Sequence, residues 1–243
     1  MANIKQKTIG NSTLLYSHNC LPEVNVDMFE AQYWQEQNKI IGQAVGRGTT
    51  FFFRENGHDF VLRHYRRGGL IGKFIKDQYF YTGLEKTRAY LEMHLLNTMY
   101  AKHLPVPQAV AARIVRKGLF YQADIILQKI PQARDVFTIL LEQQISSTIW
   151  HKIGVVIRQL HEQQIYHHDL NIHNIMLDEH DKIWLIDFDK CEQRAGETWK
   201  ADNLKRLQRS LFKELAKYPN FKWQAQDWLL CLEGYEQGQG RAN

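Results

Sequence analysis

The chain has 243 residues, 44% of them hydrophobic and 23% charged, with a formal charge of +5 and a pI near 9.0. That length suits one large domain or two small lobes around a sizeable core, and the unrepetitive composition excludes a low-complexity or disordered chain. The mild positive charge points to an acidic partner, such as nucleic acid, an anionic lipid surface or a phosphorylated ligand. The odd set Cys20, Cys191 and Cys231, without a CxxC, fits a reduced compartment and argues against structural zinc.

The opening MANIKQKTIGNSTLLYSHN carries no apolar h-region, so no secretory signal is expected. No run of about 18 apolar residues occurs, so no membrane-spanning helix is expected, while peripheral membrane binding stays open. Residues 1 to about 65 read as strand-rich. FFFRENGHDFVLRHY holds two apolar, aromatic runs around Glu55-Asn56-Gly57, a hairpin signal. Residues 84–103 read as a helix with Leu84, Leu91, Leu95 and Met99 on one face, stopped by LPVP at 104–107. AVAARIV and LFYQADIIL read as two more strands, and Ile130-Pro131 breaks the pattern.

Beyond that point the chain turns helical. In ISSTIWHKIGVVIRQLHEQQ, Ile145, Ile149, Ile153, Val156 and Leu160 recur at helical spacing, a buried stripe rather than a cofactor box. HHDLNIHNIML at 167–177 follows, then the polar turn Asp178-Glu179-His180-Asp181 and the strand KIWLIDFD. A β-rich half of about residues 1–128 and a mainly helical half of about 131–243 are expected to join near residues 127–131.

Three readings compete for HHDLNIHNIML. His167 and Asp169 have the HxD spacing of two-His-one-carboxylate metal sites, but those take a further His well downstream, and the last histidine is His180. A solvated polar turn would account for HHD alone. It does not account for Asn174 five residues after Asp169, or for Asp187 at the end of the next strand. A hairpin would set Asn174 beside Asp187, since paired strands lie about 4.8 Å apart. An amide oxygen and a carboxylate can then converge on a hard cation such as Mg²⁺. Asp169 would sit beside them, placed to accept a proton from an incoming hydroxyl.

HxDLxxxxN, a short hairpin and DFx together resemble the catalytic core of the protein-kinase-like fold. The resemblance implies an α+β, two-lobed fold and ATP-dependent phosphoryl transfer. It makes Asp169 the residue that orients and deprotonates the acceptor, with Asn174 and Asp187 holding Mg²⁺ on the ATP phosphates. Several departures narrow the class. His168 stands where regulated protein kinases carry Arg, Asp189 replaces the glycine of DFG, and no APE follows. With 54 residues after Asp189 in the 243-residue chain, a peptide-binding lobe hardly fits, and a small-molecule or glycan acceptor is expected. Aminoglycoside and choline kinases share the HxD…N and IDF pattern.

In the first half, Gly46-Arg47-Gly48 is either a phosphate-binding glycine loop or a plain turn, because Phe51 stands at the third glycine position. FVLRHY sets Arg63 where the kinase strand lysine is expected; arginine grips phosphate through a fork rather than a point charge. Glu92 is its expected helix partner, unless it is a solvated helix charge.

RHYRRGGLIGKFIK at 63–76 carries Arg63, Arg66, Arg67, Lys73 and Lys76 and no acid. Together with RGG, LPVP, YQADIIL and LIDFDK, it resembles the kinases of 3-deoxy-D-manno-octulosonic acid (Kdo) over about residues 45–215. That resemblance implies phosphorylation of the Kdo 4-hydroxyl on Kdo–lipid A, in lipopolysaccharide core assembly at the cytoplasmic face of the inner membrane. An anionic membrane surface is the partner it implies for the basic segment. Two rivals stand: a kinase of another sugar or an aminoglycoside, and a pseudokinase binding module. A nucleic-acid binder is not expected, since no stacking platform interleaves the basic residues.

Overall fold

The computed structural model describes residues 4–17, 21, 23–45, 48–67 and 77–238. The chain divides into two compact units, residues 1–101 with 107–129, and residues 102–106 with 130–243.

The first unit is built on an antiparallel sheet. Its elements are β1 (Ile4–Ile9), β2 (Ser12–Ser17), α1 (Ala31–Glu36), β3 (Ile40–Val45), β4 (Thr49–Glu55), β5 (His58–His64), β6 (Tyr79–Phe80), α2 (Arg88–Ala101), β7 (Ala109–Lys117) and β8 (Phe120–Gln128). The sheet order is β1-β2-β7-β8-β5-β4-β3, with β6 paired to β8. The β4–β5 hairpin closes at Glu55↔His58, with Asn56 at φ 49° and Gly57 at φ 76°. Two positive φ values in a two-residue turn match the right-handed strand twist, which is why Asn-Gly occurs there.

One face of the sheet buries Leu14, Phe53, Phe60, Leu62, Val110 and Ile126 around Trp34. The Trp34 and Phe53 rings stack at 3.9 Å between centroids. Helix α2 packs on β7 and β8. Its buried residues are Ala89, Glu92, Met93, Leu96, Asn97 and Met99, whereas Leu91 is exposed. The inward stripe is therefore rotated from the Leu84–Leu91–Leu95–Met99 expectation. The helix turns an acid inward because that acid is paired there.

The second unit contains β9 (Arg134–Asp135), α3 (Val136–Glu142), α4 (Ser147–Glu162), β10 (Ile165–Tyr166), β11 (Ile175–Leu177), β12 (Ile183–Leu185), β13 (Glu192–Gln193), α5 (Thr198–Lys217) and α6 (Ala225–Gln237). Residues 102–106 join it because the Leu185 amide donates to the Pro105 carbonyl at 2.9 Å and Lys102 Nζ donates to Gln163 at 2.7 Å. Helix α4 starts on a Ser146 side-chain cap and buries Ile149, Trp150, Ile153, Ile157 and Leu160. It lies against α6 at glycine distance. A Cβ on Gly154 would fall on the Cys231 carbonyl, and one on Gly234 on the His151 carbonyl. This closely packed pair precedes the loop that follows α4. Among the described residues, no helix is long and apolar enough to cross a membrane.

Candidate active site

The loop between β10 and β11 is built by local hydrogen bonds. The backbone carbonyl of Asp169 accepts from two side-chain amides, Asn171 Nδ2 at 3.0 Å and Asn174 Nδ2 at 2.9 Å. Asn171 Oδ1 in turn accepts the His173 amide at 2.9 Å. Asparagine suits this work because a short amide can donate and accept within one tight turn. The Asp169 carboxylate is left at the surface, with a side chain 45% exposed.

Strands β11 and β12 pair in antiparallel register from Leu177↔Ile183 to Ile175↔Leu185. The ladder runs one step further, where the Ile186 amide donates to the Asn174 carbonyl at 3.0 Å. Asn174 and Asp187 therefore meet at the same end of the hairpin. Because its Nδ2 is spent on Asp169, the Asn174 amide turns Oδ1 away from that carbonyl. Asp187 sits at φ 63°, a left-handed conformation that costs a non-glycine residue about 1 kcal/mol or more. A turn held in that conformation aims the carboxylate independently of the strand pleat. An amide oxygen and a carboxylate are hard donors, and this pair fits a Mg²⁺ ion that keeps its remaining positions for water and substrate phosphate. No cluster of three or more His, Cys, Asp or Glu side chains suited to a metal occurs among the described residues.

A buried histidine of the loop and side chains far from it in sequence hold it in place. His167 is fully buried, and its Nε2–H donates to the Ile186 carbonyl at 3.0 Å, next to Asp187. Burial lowers its pKa, so it serves as a neutral strut. Phe188 packs on the same ring at 4.8 Å. Asn203 of α5 binds both backbone groups of His167, donating to the carbonyl at 2.7 Å and accepting the amide at 3.4 Å. The same Asn203 Oδ1 accepts from His161 Nε2 at 3.1 Å, and His161 Nδ1 accepts from the Tyr235 hydroxyl at 2.8 Å. Burial pushes the His161 pKa down to about 4, with the Lys200 and Arg158 charges pressing the same way. Ser210 Oγ accepts the Ile172 amide at 3.1 Å. Asn203, Ser210 and Tyr235 carry no local motif, and only their place in the fold reveals them.

In the first unit, Arg63 leaves β5 and its Nη2 donates to Glu92 Oε1 at 2.5 Å. Glu92 is 2% exposed, and its second oxygen accepts from the Tyr65 hydroxyl at 2.6 Å. A carboxylate this deep is tolerable only with such partners. Glu92 is thus a buried, paired acid rather than a solvated helix charge. Gly48 is crowded from below by Arg66, since a Cβ there would lie 2.6 Å from Arg66 Cδ and Nε. Arg67 Nε donates to the Gln78 carbonyl at 2.6 Å, and its guanidinium lies over the Tyr79 ring. Gly46, Lys73 and Lys76 lie outside the described residues.

This constellation can be compared with known proteins. Residues 31–235 match the model of the lipopolysaccharide kinase (Kdo/WaaP) family. The chain belongs to that family. A relative from Vibrio vulnificus strain CMCP6 is 44% identical over 97% of this chain and 100% of its own length. One from Vibrio cholerae serotype O1 is 50% identical, covering 88% of each chain. One from Haemophilus influenzae strain 86-028NP is 43% identical, covering 93% of this chain and 97% of its own. All three are named 3-deoxy-D-manno-octulosonic acid kinase. A solved structure, the Cydia pomonella granulovirus kinase PK-1, matches with a TM-score of 0.44 and 14% identity over 67% of this chain and 56% of that one. As a member of the Kdo/WaaP kinase family the chain is an ATP-using phosphotransferase, with the α+β, protein-kinase-like fold expected from its sequence.

Proposed function

We propose that this member of the Kdo/WaaP family transfers the γ-phosphoryl group of ATP to the 4-hydroxyl of Kdo on Kdo–lipid A. The step belongs to lipopolysaccharide core biosynthesis at the cytoplasmic face of the inner membrane. The observation that carries the chemistry is the hairpin end where Asn174 and Asp187 meet beside the loop that presents Asp169. The acceptor is supported by relatives of near-equal length that bear the name of Kdo kinases.

Phosphoryl transfer depends on positioning and charge neutralisation more than on covalent chemistry by the protein. Asp169 accepts the proton of the attacking hydroxyl and orients it. Asn174 Oδ1 and the Asp187 carboxylate hold Mg²⁺, which when bound neutralises charge on the ATP phosphates. Arg63 grips phosphate, and Glu92 with Tyr65 keeps its guanidinium in one place. Gly46 and Gly48 are the candidate phosphate-loop glycines on sequence grounds, since a residue without a side chain lets a phosphate approach the backbone.

The acceptor is a membrane lipid, so the enzyme works as a peripheral protein. Arg66, Arg67, Lys73 and Lys76 form an acid-free run, and a basic residue near an anionic leaflet contributes roughly 1 kcal/mol. Incubating the purified protein with Mg²⁺-ATP and Kdo–lipid A should give a product heavier by one phosphoryl group. Unchanged Kdo–lipid A, with a neutral sugar or an aminoglycoside phosphorylated instead, would refute the proposed acceptor.

A further inference from the structure

Arg206, on α5, places its Nη1 3.4 Å from Asp169 Oδ1, across 37 residues of sequence. The helix is tied to the loop on either side of this point. Asn203, three residues earlier, binds the His167 backbone, and Ser210, four residues later, binds the Ile172 amide. Steps of three and four residues share one helix face. Arg206 is therefore set beside Asp169 by the same contacts that build the loop. The loop from His167 to Asp178 contains no Lys or Arg, so the cation beside this acid is supplied by α5.

The pair is loose. At 3.4 Å it is longer than the 2.7–2.9 Å of a strong charge-assisted bond, and it engages one of the five N–H donors of the guanidinium. Both side chains are about two-fifths exposed, at 40% and 45%. Solvent-exposed pairs of this kind contribute little to stability and exchange partners readily. A hydroxyl that hydrogen-bonds to Asp169 must approach within reach of Arg206.

We propose that Arg206 is the acceptor-specificity residue and that its partner in the complex is the carboxylate of the acceptor sugar acid. This rests on Kdo being the acceptor, as argued above. In Kdo the carboxyl carbon and the 4-position are joined through three carbon–carbon bonds of about 1.5 Å each, so carboxylate and hydroxyl span roughly 5 Å. That span matches a hydroxyl on Asp169 and a carboxylate on the neighbouring guanidinium. The carboxylate takes the planar fork in a bidentate contact, and Asp169 is released to accept the hydroxyl proton. A neutral sugar leaves Arg206 leaning on Asp169 and so competes poorly for the base.

The test compares Kdo–lipid A with the same acceptor whose Kdo carboxyl is methyl-esterified, using wild type, R206Q and R206K. In the wild type, esterification should lower kcat/KM roughly 10- to 100-fold. R206Q should lose a similar factor on the free acid, through KM for the acceptor, and discriminate less than threefold between acid and ester. R206K, which keeps the charge but not the fork, should retain part of the discrimination. Mg²⁺-ATP affinity and the unfolding temperature report whether R206Q is folded. If folded R206Q loses activity equally on acid and ester, keeping the wild-type ratio, Arg206 only positions Asp169 and the proposal is overturned. Should wild type phosphorylate neither acceptor, the Kdo reading itself fails.

Discussion

Asn203→Ala removes the clamp between α5 and the loop that carries Asp169. Asn203 is 1% exposed and makes three hydrogen bonds, to the His167 carbonyl at 2.7 Å, the His161 ring at 3.1 Å and the His167 amide at 3.4 Å. Alanine leaves all three partners buried and unsatisfied. At about 1 kcal/mol for each stranded group, the low end of the usual range, three groups make the loss roughly 3 kcal/mol. For a chain of this size that lowers the unfolding temperature by roughly 5–15 °C. Turnover should fall further than stability at the assay temperature explains, because a loop displaced by about 1 Å can cost 10²-fold in rate. Thermal unfolding followed by circular dichroism, with kcat measured well below the transition, reads both effects. Asn203→Asp is the companion variant, since it keeps the acceptor and loses the donor to the His167 carbonyl. An unfolding temperature within 2 °C of wild type and a kcat within twofold for Asn203→Ala would show that the clamp does not hold the loop.

Asp169→Asn should keep Mg²⁺-ATP affinity and cut turnover by about 10²–10⁴-fold, the usual range for loss of a general base; near-normal turnover in the folded variant removes Asp169 from that role. Asp187→Ala should weaken nucleotide binding in Mg²⁺ and change it little in EDTA, and titrations that retain the wild-type Mg²⁺ dependence would exclude Asp187 as a ligand. Stability should also vary with pH in two opposite senses. His161, held near pKa 4 when folded against 6.5 unfolded, is charged only in the unfolded chain between those values. Lowering the pH from 7 to 5 should therefore cost about 2 kcal/mol in denaturant unfolding, and His161→Gln should flatten that slope. His64 works the other way, because hydrogen bonds to Asp124 at 2.6 Å and Asp77 at 3.2 Å raise its pKa. Its contribution is complete below pH 6.5 and is lost as the pH rises through the raised value, so His64→Gln should gain relative stability at high pH.

Much of the local structure around the proposed site was legible because its logic is local. Asn56-Gly57 announces a hairpin since few other pairs accept two positive φ values, and β4 and β5 follow from it. The spacing from Asp169 through Asn174 to Asp187 was readable because a short hairpin returns the chain to its starting edge within a dozen residues. On α4 helical periodicity picked out Ile149, Ile153 and Leu160, whereas Ile145 precedes the helix and Val156 is half-buried, with Ile157 taking the inward place. On α2 the same reasoning failed: Leu91 is exposed and Glu92 buried. Hydropathy places an acid outside, and the placement reverses only because Arg63 and Tyr65 meet it from 29 and 27 residues away.

What the sequence by itself determined was the local loop and hairpin of residues 167–187, their resemblance to a kinase family, and a β-rich half followed by a helical one. Tertiary structure alone decided what surrounds them. Asn203 reaches His167 across 36 residues, Arg206 reaches Asp169 across 37, and Tyr235 reaches His161 across 74. None of the three stands in a spacing that local chemistry requires, because an asparagine, an arginine or a tyrosine on an amphipathic helix is ordinary. Their meaning comes from helix packing. Gly154 and Gly234 let α4 and α6 approach to backbone contact, which brings Tyr235 to His161, and the Asn203–Ser210 face of α5 is hydrogen-bonded to the loop. Such long-range placements are set by the free energy of packing the whole unit, and a linear pattern carries no record of which helix faces will meet.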